Sequence, residues 1–125
     1  MKEVIIPTGE SVKAIGPYNL AVRANGFLFT SGMLGLDPKT NTLVEGVEAQ
    51  AKQALDNLTA LLKEAGTSME NVVKATVFVQ DLGDFATVNN IYKDYFGKEF
   101  PARSCVQVAK LPQSALVEIE LIVAL

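Results

Sequence analysis

The C-terminal stretch from Val117 to Leu125 limits what this chain can fold into more than any other. Val117, Ile119, Leu121, Val123 and Leu125 alternate there with Glu118, Glu120, Ile122 and Ala124. Period-two alternation marks a β-strand, because successive side chains point to opposite faces. One face is entirely apolar and needs a core; the other presents two carboxylates. Residues 101–109 alternate in the same way. They are joined to the last strand by Lys110 to Ala115, where Pro112 cannot donate to a central ladder. The two strands therefore read as a hairpin. Symmetric closure sets Ala109 opposite Leu116, Gln107 opposite Glu118, Cys105 opposite Glu120 and Arg103 opposite Ile122. Arg103, Cys105, Gln107, Glu118 and Glu120 would then share a face, whereas a slip of one residue would send the glutamates to the other side.

Residues 2–6 read as a short strand ended by Pro7. Strands are expected over Tyr18 to Ala24 and Phe27 to Ser31. Asn25-Gly26 joins them as a two-residue hairpin loop, since both turn positions favour positive φ. That loop pairs Ala24 with Phe27 and Leu20 with Ser31. Val47, Ala51, Ala54, Leu55, Leu58, Leu61, Leu62 and Ala65 recur at helical spacing, and Gly66 stops the helix. A β-branched strand follows over Val72 to Gln80. A second helix opens at Asp84 as N-cap, carries an apolar stripe of Phe85, Val88, Ile91, Tyr92, Tyr95 and Phe96, and stops at Gly97. The order β-β-β-α-β-α-β-β predicts a single α+β domain over residues 1–125, with a mixed sheet of five to six strands and two helices on one face. Two helices cover only one sheet face, yet several strands are apolar on both. Uncovered apolar faces mark interfaces, so a homo-oligomer with a pocket near the subunit boundary is expected.

The chain has no histidine. That excludes Ser-His-Asp and Cys-His mechanisms and the commonest zinc ligand sets, so no metal is expected. Net charge is −3 with no basic run, which argues against a nucleic-acid surface. The N-terminus lacks an apolar stretch of secretory length, and no segment approaches membrane-spanning length. A single cysteine cannot form an intramolecular disulfide and suits a cytoplasmic location.

Arg103 is either an ion-pair partner of Glu118 or Glu120, or a planar fork for a ligand carboxylate. Cys105 is either a small buried hydrophobe or a thiol whose pKa Arg103 lowers. Glu118 and Glu120, about 6–7 Å apart along a strand, approach a glycosidase spacing, but the chain has no tryptophan and no evident sugar cleft. Tyr18, Ser31 and Asn89 are polar residues at element edges.

Several motifs in one order resemble the reactive intermediate deaminase (Rid/YjgF) family across nearly the whole chain. They are Ala14-Ile15-Gly16-Pro17-Tyr18, Thr30-Ser31-Gly32, Val73 to Val79, Phe85-Ala86-Thr87-Val88-Asn89, Pro101-Ala102-Arg103-Ser104-Cys105, Leu111-Pro112 and Val117-Glu118-Ile119-Glu120. The resemblance implies a chorismate-mutase-like fold, a homotrimer with clefts between subunits, and cofactor-free hydrolysis of 2-imino acids to 2-keto acids and ammonia. It implies that Arg103 holds the substrate carboxylate, that Glu118 positions or deprotonates water, and that Cys105 acts mainly through its backbone. Tyr18, Ser31 and Asn89 would line the pocket. Met33 departs from the glutamine common after the Ser-Gly pair, a change that bears on substrate preference. The rival reading is a non-enzymatic regulator binding keto acids in the same cleft; RNA cleavage is disfavoured by the acidic charge and the missing histidine.

Overall fold

The computed structural model describes residues 1–9 and 11–125. Asn25 and Gly26 adopt φ of 51° and 81°, and they fold strand β2 (Ala21–Ala24) onto β3 (Phe27–Thr30) with Ala24 opposite Phe27. Ser31 N–H donates to Leu20 C=O at 2.8 Å, continuing the expected pairing one step beyond the strands. Before the hairpin lies β1 (Glu3–Ile5), antiparallel to β2. After it come three short strands: β4 (Met33–Leu34), then β5 (Leu36–Asp37) and β6 (Thr42–Leu43), which pair only with each other.

Helix α1 spans Val47–Glu64. Its Ala51, Ala54, Leu55, Leu58, Leu61 and Leu62 are fully buried, so the 3–4 spacing marks the core face as expected. Strand β7 (Val72–Val79) leads to α2 (Phe85–Tyr92), β8 (Ala102–Gln107) and β9 (Val117–Ala124). Helix α2 is shorter than its apolar stripe suggests, though Phe96 beyond its end is still buried. Asp84 makes no side-chain cap. The chain enters through a single 3₁₀ turn, Leu82–Asp84, and there the Asp81 carboxylate accepts the Gly83 N–H at 2.8 Å. The capping function thus sits one turn earlier.

The main sheet is mixed and has seven strands, ordered β1-β2-β3-β9-β7-β8, with β4 also on β9. It exceeds the expected five to six because Met33 and Leu34 pair with Ile119 and Glu118 as a continuation of the β3 edge. The expected β8–β9 hairpin is not formed. Strand β7 lies between them, parallel to β8 and antiparallel to β9. Strands β7 and β9 are the longest and most apolar, and central positions satisfy both of their edges while burying one face. Strand β8 keeps Ala102, Ser104, Val106 and Gln107 exposed and takes the sheet edge. A parallel β7–β8 pair requires a crossover, which α2 supplies.

This order decides which face each candidate side chain occupies. Ala75, Val77 and Val79 of β7 and Val117, Ile119, Leu121 and Val123 of β9 are buried beneath the helices. Arg103 and Cys105 are in register with Ala75 and Val77, so they share that face. Glu118 and Glu120 are in register with Phe78 and Thr76 on the opposite face, which no helix among the described residues covers. Phe27, Phe29 and Val106 are exposed. Among the described residues, no helix is long and apolar enough to cross a membrane.

Two buried amides of α1 hold the loops beside Glu118. Gln50 Oε1 accepts the Leu116 N–H at 2.8 Å. Asn57 Nδ2 donates to the Leu36 carbonyl at 2.8 Å and reaches the Leu34 carbonyl at 3.4 Å. Removing either amide strands a buried backbone group. Gln50→Leu and Asn57→Leu are each expected to lower the unfolding free energy by about 1–3 kcal/mol, despite added apolar volume. Urea unfolding would test this, and an unchanged midpoint would show that water replaces the bond.

Candidate functional site

Five of the six candidate residues fall into two groups. Tyr18, Ser31 and Glu118 line one cavity of about 340 Å³, together with Gly32, Met33 and Gln113. Arg103 and Asn89 line another of about 450 Å³, with Tyr92, Lys93 and Phe100. Cys105 lies two residues along β8 from Arg103 and lines neither. The expected single-face cluster of Arg103, Cys105, Gln107, Glu118 and Glu120 is therefore not formed within one chain. Period-two alternation is intact in each strand, but the intervening β7 changes which positions face together.

In the first cavity, the Glu118 side chain rests against Gly32. A Cβ added there would lie 2.6 Å from the Glu118 carboxyl carbon, so only glycine leaves space for this carboxyl. Glu118 is half-buried, and burial pushes its pKa above the usual carboxylate range; the neighbouring Glu120 charge adds to that rise. Ser31 Oγ donates to the Asn19 carbonyl at 2.6 Å, which ties the cavity wall to the loop before β2. Tyr18 stands half-exposed at the entrance. Met33 is buried and paired with Ile119, so the departure noted at this position gives the cavity an apolar wall. Opposite it, Gln113 and Ser114 both take φ of 57°, fixing the turn after Pro112.

In the second cavity, Arg103 Nη1 donates to Asn89 Oδ1 at 2.6 Å. Its Cζ lies 4.8 Å from the Tyr92 ring centroid and 5.4 Å from that of Phe85. Among the described residues, Arg103 has no carboxylate partner; the ion pairs are Arg23–Glu3 and Lys52–Asp56. Of the two readings of Arg103, the ion pair with Glu118 or Glu120 is not formed within one chain, because the groups project from opposite faces. Burial pushes the Cys105 thiol pKa up, and the opposing pull of Arg103 is smaller. Of the two readings of Cys105, this environment favours the small buried hydrophobe over a thiol activated by Arg103.

Sequence reasoning missed Gly32, Phe85 and Tyr92 as site residues. Phe85 and Tyr92 were indistinguishable from core residues by period alone. Their 4–3 spacing around Asn89 was the available signal, since it sets all three on one helix face.

The endoribonuclease L-PSP family model matches residues 8–125. A RutC family protein of Synechocystis is 56% identical over 124 residues, covering 97% of this chain and 95% of that one. The 2-iminobutanoate/2-iminopropanoate deaminase of Bos taurus is 51% identical over 119 residues, covering 94% of this chain and 87% of its own length. The crystal structure of a Rid-family protein of unknown function from Yersinia pestis superposes with a TM-score of 0.96 at 45% identity, covering 100% of both chains.

Gly32→Ala is expected to displace the Glu118 carboxyl towards solvent. Its titration midpoint, followed by carboxyl ¹³C NMR, should fall towards the ordinary glutamate value of 4.5. An unchanged midpoint would mean that Gly32 does not seat the carboxyl.

Proposed function

Because the chain belongs to the endoribonuclease L-PSP family, that of the Rid proteins, we propose that it hydrolyses small 2-imino acids to 2-keto acids and ammonia, at sites assembled between copies of the chain. One observation carries this proposal. Among the described residues, a guanidinium without a carboxylate partner and a half-buried carboxyl stand on opposite faces of one sheet, each beside its own cavity. Neither half alone supplies both an anion anchor and a base. The uncovered face around Phe27, Phe29 and Val106 offers the surface through which copies would meet, and a cyclic trimer closes such a contact. The deaminase name of the Bos taurus relative supports the reaction class.

In this mechanism, the Arg103 fork takes the substrate carboxylate bidentately. The imine carbon is electrophilic, so a positioned water suffices as nucleophile. As the water oxygen bonds to that carbon, its proton passes by way of Glu118 to the imine nitrogen. The carbinolamine then collapses. Its hydroxyl proton passes by way of Glu118 to the amine, and the C–N bond breaks as C=O forms, so ammonia departs and Glu118 returns to its ionised form. A carboxylate whose pKa is raised towards the working pH is a more effective proton carrier than an ordinary glutamate. Cys105 contributes mainly through its backbone beside the imine and forms no covalent adduct. Tyr18, Ser31 and the apolar wall at Met33 surround the substrate side chain, which favours short aliphatic imines.

Arg103→Ala should lower kcat/KM at least about 100-fold, and Glu118→Gln should lower kcat by about 10²–10⁴-fold while keto-acid binding survives. Co-expression of the two variants tests the shared site directly. Each mixed trimer would contain one site with both native residues, restoring roughly a quarter of wild-type activity after random mixing. Light scattering should give a multiple of 13.4 kDa. A monomer, or no recovery on mixing, would overturn the shared site. Binding without turnover in the wild type would favour the metabolite-binding regulator.

The acid limb of kcat gives a separate test. Glu118 must be ionised to accept the water proton, so kcat falls as pH drops through its raised pKa. The midpoint should lie above 4.5, and Glu120→Gln should move it down by removing a like charge. A midpoint unmoved in Glu120→Gln would separate Glu120 from the base.

A further inference from the structure

Phe85, Asn89 and Tyr92 recur at i, i+4 and i+7 on α2 and address one guanidinium. We propose that Phe85 and Tyr92 form an aromatic cradle that, with the Asn89 amide, fixes the plane of Arg103 without neutralising its charge. The proposal rests on Arg103 being the carboxylate anchor, and it makes Phe85 and Tyr92 positioning residues for that reaction.

Three observations support it. The three partners meet the guanidinium at close range: a hydrogen bond at 2.6 Å and two rings at 4.8 and 5.4 Å from Cζ. Both rings lie within the range of cation–π attraction, and arginine also stacks flat on aromatic faces. Second, Phe85 is 38% exposed, so core burial does not account for its placement; Tyr92 is 5% exposed and packs on Phe96 at 4.4 Å between centroids. Third, the cradle carries no negative charge. Asn89 is an amide where an aspartate would have formed an ion pair. Burial pushes the Tyr92 pKa to about 12, so the phenol stays neutral at working pH even beside Arg103. Among the described residues the buried Tyr92 hydroxyl has no hydrogen-bond partner, so the ring is the part that meets Arg103.

An orienting but uncharged support is what an anion anchor needs. A carboxylate partner would fix the fork equally well, but it would have to be displaced by the substrate. Aromatic faces restrict the guanidinium and leave its in-plane N–H groups open to a ligand.

The test compares Tyr92→Phe, Tyr92→Leu, Phe85→Leu and Asn89→Asp with the wild type. Tyr92→Phe keeps the ring and removes only the hydroxyl, so it should raise KM less than Tyr92→Leu does. Phe85→Leu and Tyr92→Leu should raise KM for the imino acid about 2- to 30-fold while kcat changes less, because carboxylate binding is common to ground and transition states. Asn89→Asp keeps the hydrogen-bond geometry and adds a charge, so it should raise KM further. Phe85 is partly exposed, so its variant is expected to fold if Tyr92→Leu does not.

The Arg103 Nε–Hε signal in ¹⁵N-arginine-labelled protein gives a readout independent of turnover. It should be ring-current shifted in the wild type and in Tyr92→Phe, and should move towards the exposed-arginine position in Phe85→Leu. Unchanged KM and an unchanged Arg103 signal in Phe85→Leu would overturn the cradle while leaving the deaminase proposal intact. Absent turnover in the wild type, with 2-ketobutyrate affinity by calorimetry still weakened in Phe85→Leu, would overturn the deaminase proposal and retain the cradle. Loss of Arg103 order with no change in either KM or affinity would also overturn it.

Discussion

The site depends on β7 lying between β8 and β9. A hairpin of those two strands would have brought arginine and glutamate together on one face. With β7 interposed, Arg103 shares a row with Ala75 and Leu121, and Glu118 shares one with Phe78. The first row lies under the helices and the second on the uncovered face. The backbone ladder between them is continuous and hydrogen-bonded, so no side-chain rotation within one chain reunites the two groups. The parallel β7–β8 pair that causes this follows from α2 serving as the crossover. The helix that positions Arg103 is therefore also the element that separates it from Glu118.

Carboxylates elsewhere in the molecule show what a structural one looks like. Glu64, at the end of α1, accepts N–H bonds from Thr8 at 3.1 Å and Gly9 at 2.7 Å and a hydroxyl bond from Ser11. These bonds hold its pKa below the usual value, led by the Ser11 hydroxyl and opposed by burial. Glu118 has the opposite environment: burial and a like charge, both raising its pKa. Arg23 and Arg103 make a parallel contrast. Arg23 donates to the Ala65 carbonyl at 2.7 Å and faces Glu3, so it closes the C-terminus of α1. Among the described residues, Arg103 meets only neutral groups. Leaving a carboxyl and a guanidinium each without its complement lowers stability, and such violations of local consistency concentrate at functional sites.

What could be read from the sequence was what depends on neighbouring residues. Asn25-Gly26 set the β2–β3 register by turn chemistry, and α1 showed its core face in its 3–4 spacing. The strand pattern correctly assigned Val117, Ile119, Leu121 and Val123 to the core, but Leu125, expected on the same buried face, lies past the strand end and is exposed. Period two says which residues share a face of one strand, but it carries no information about which strand lies alongside. That choice was made by the non-local advantage of burying β7 and β9 at the sheet centre. The same limit hid Phe85 and Tyr92. An aromatic on the inner stripe of a helix looks the same whether it meets leucine or arginine. Gly32 was quoted only as part of a motif, because the side chain that needs its missing Cβ is 86 residues away at Glu118.

In the proposed assembly, the two uncompensated charges belong to one reaction cycle. Without substrate, the Arg103 of one copy would draw the Glu118 of the next towards ionisation, opposing the burial and the Glu120 charge that favour its neutral form. A bound substrate carboxylate then matches the guanidinium. Glu118 is released from that attraction and becomes more basic at the point where a water proton must be accepted. The Asn89, Phe85 and Tyr92 support is suited to this sequence because it adds no charge of its own. The fork stays in place while its electrostatic partner changes. Substrate binding would thus raise the basicity of the residue that acts next, without histidine and without movement of the sheet.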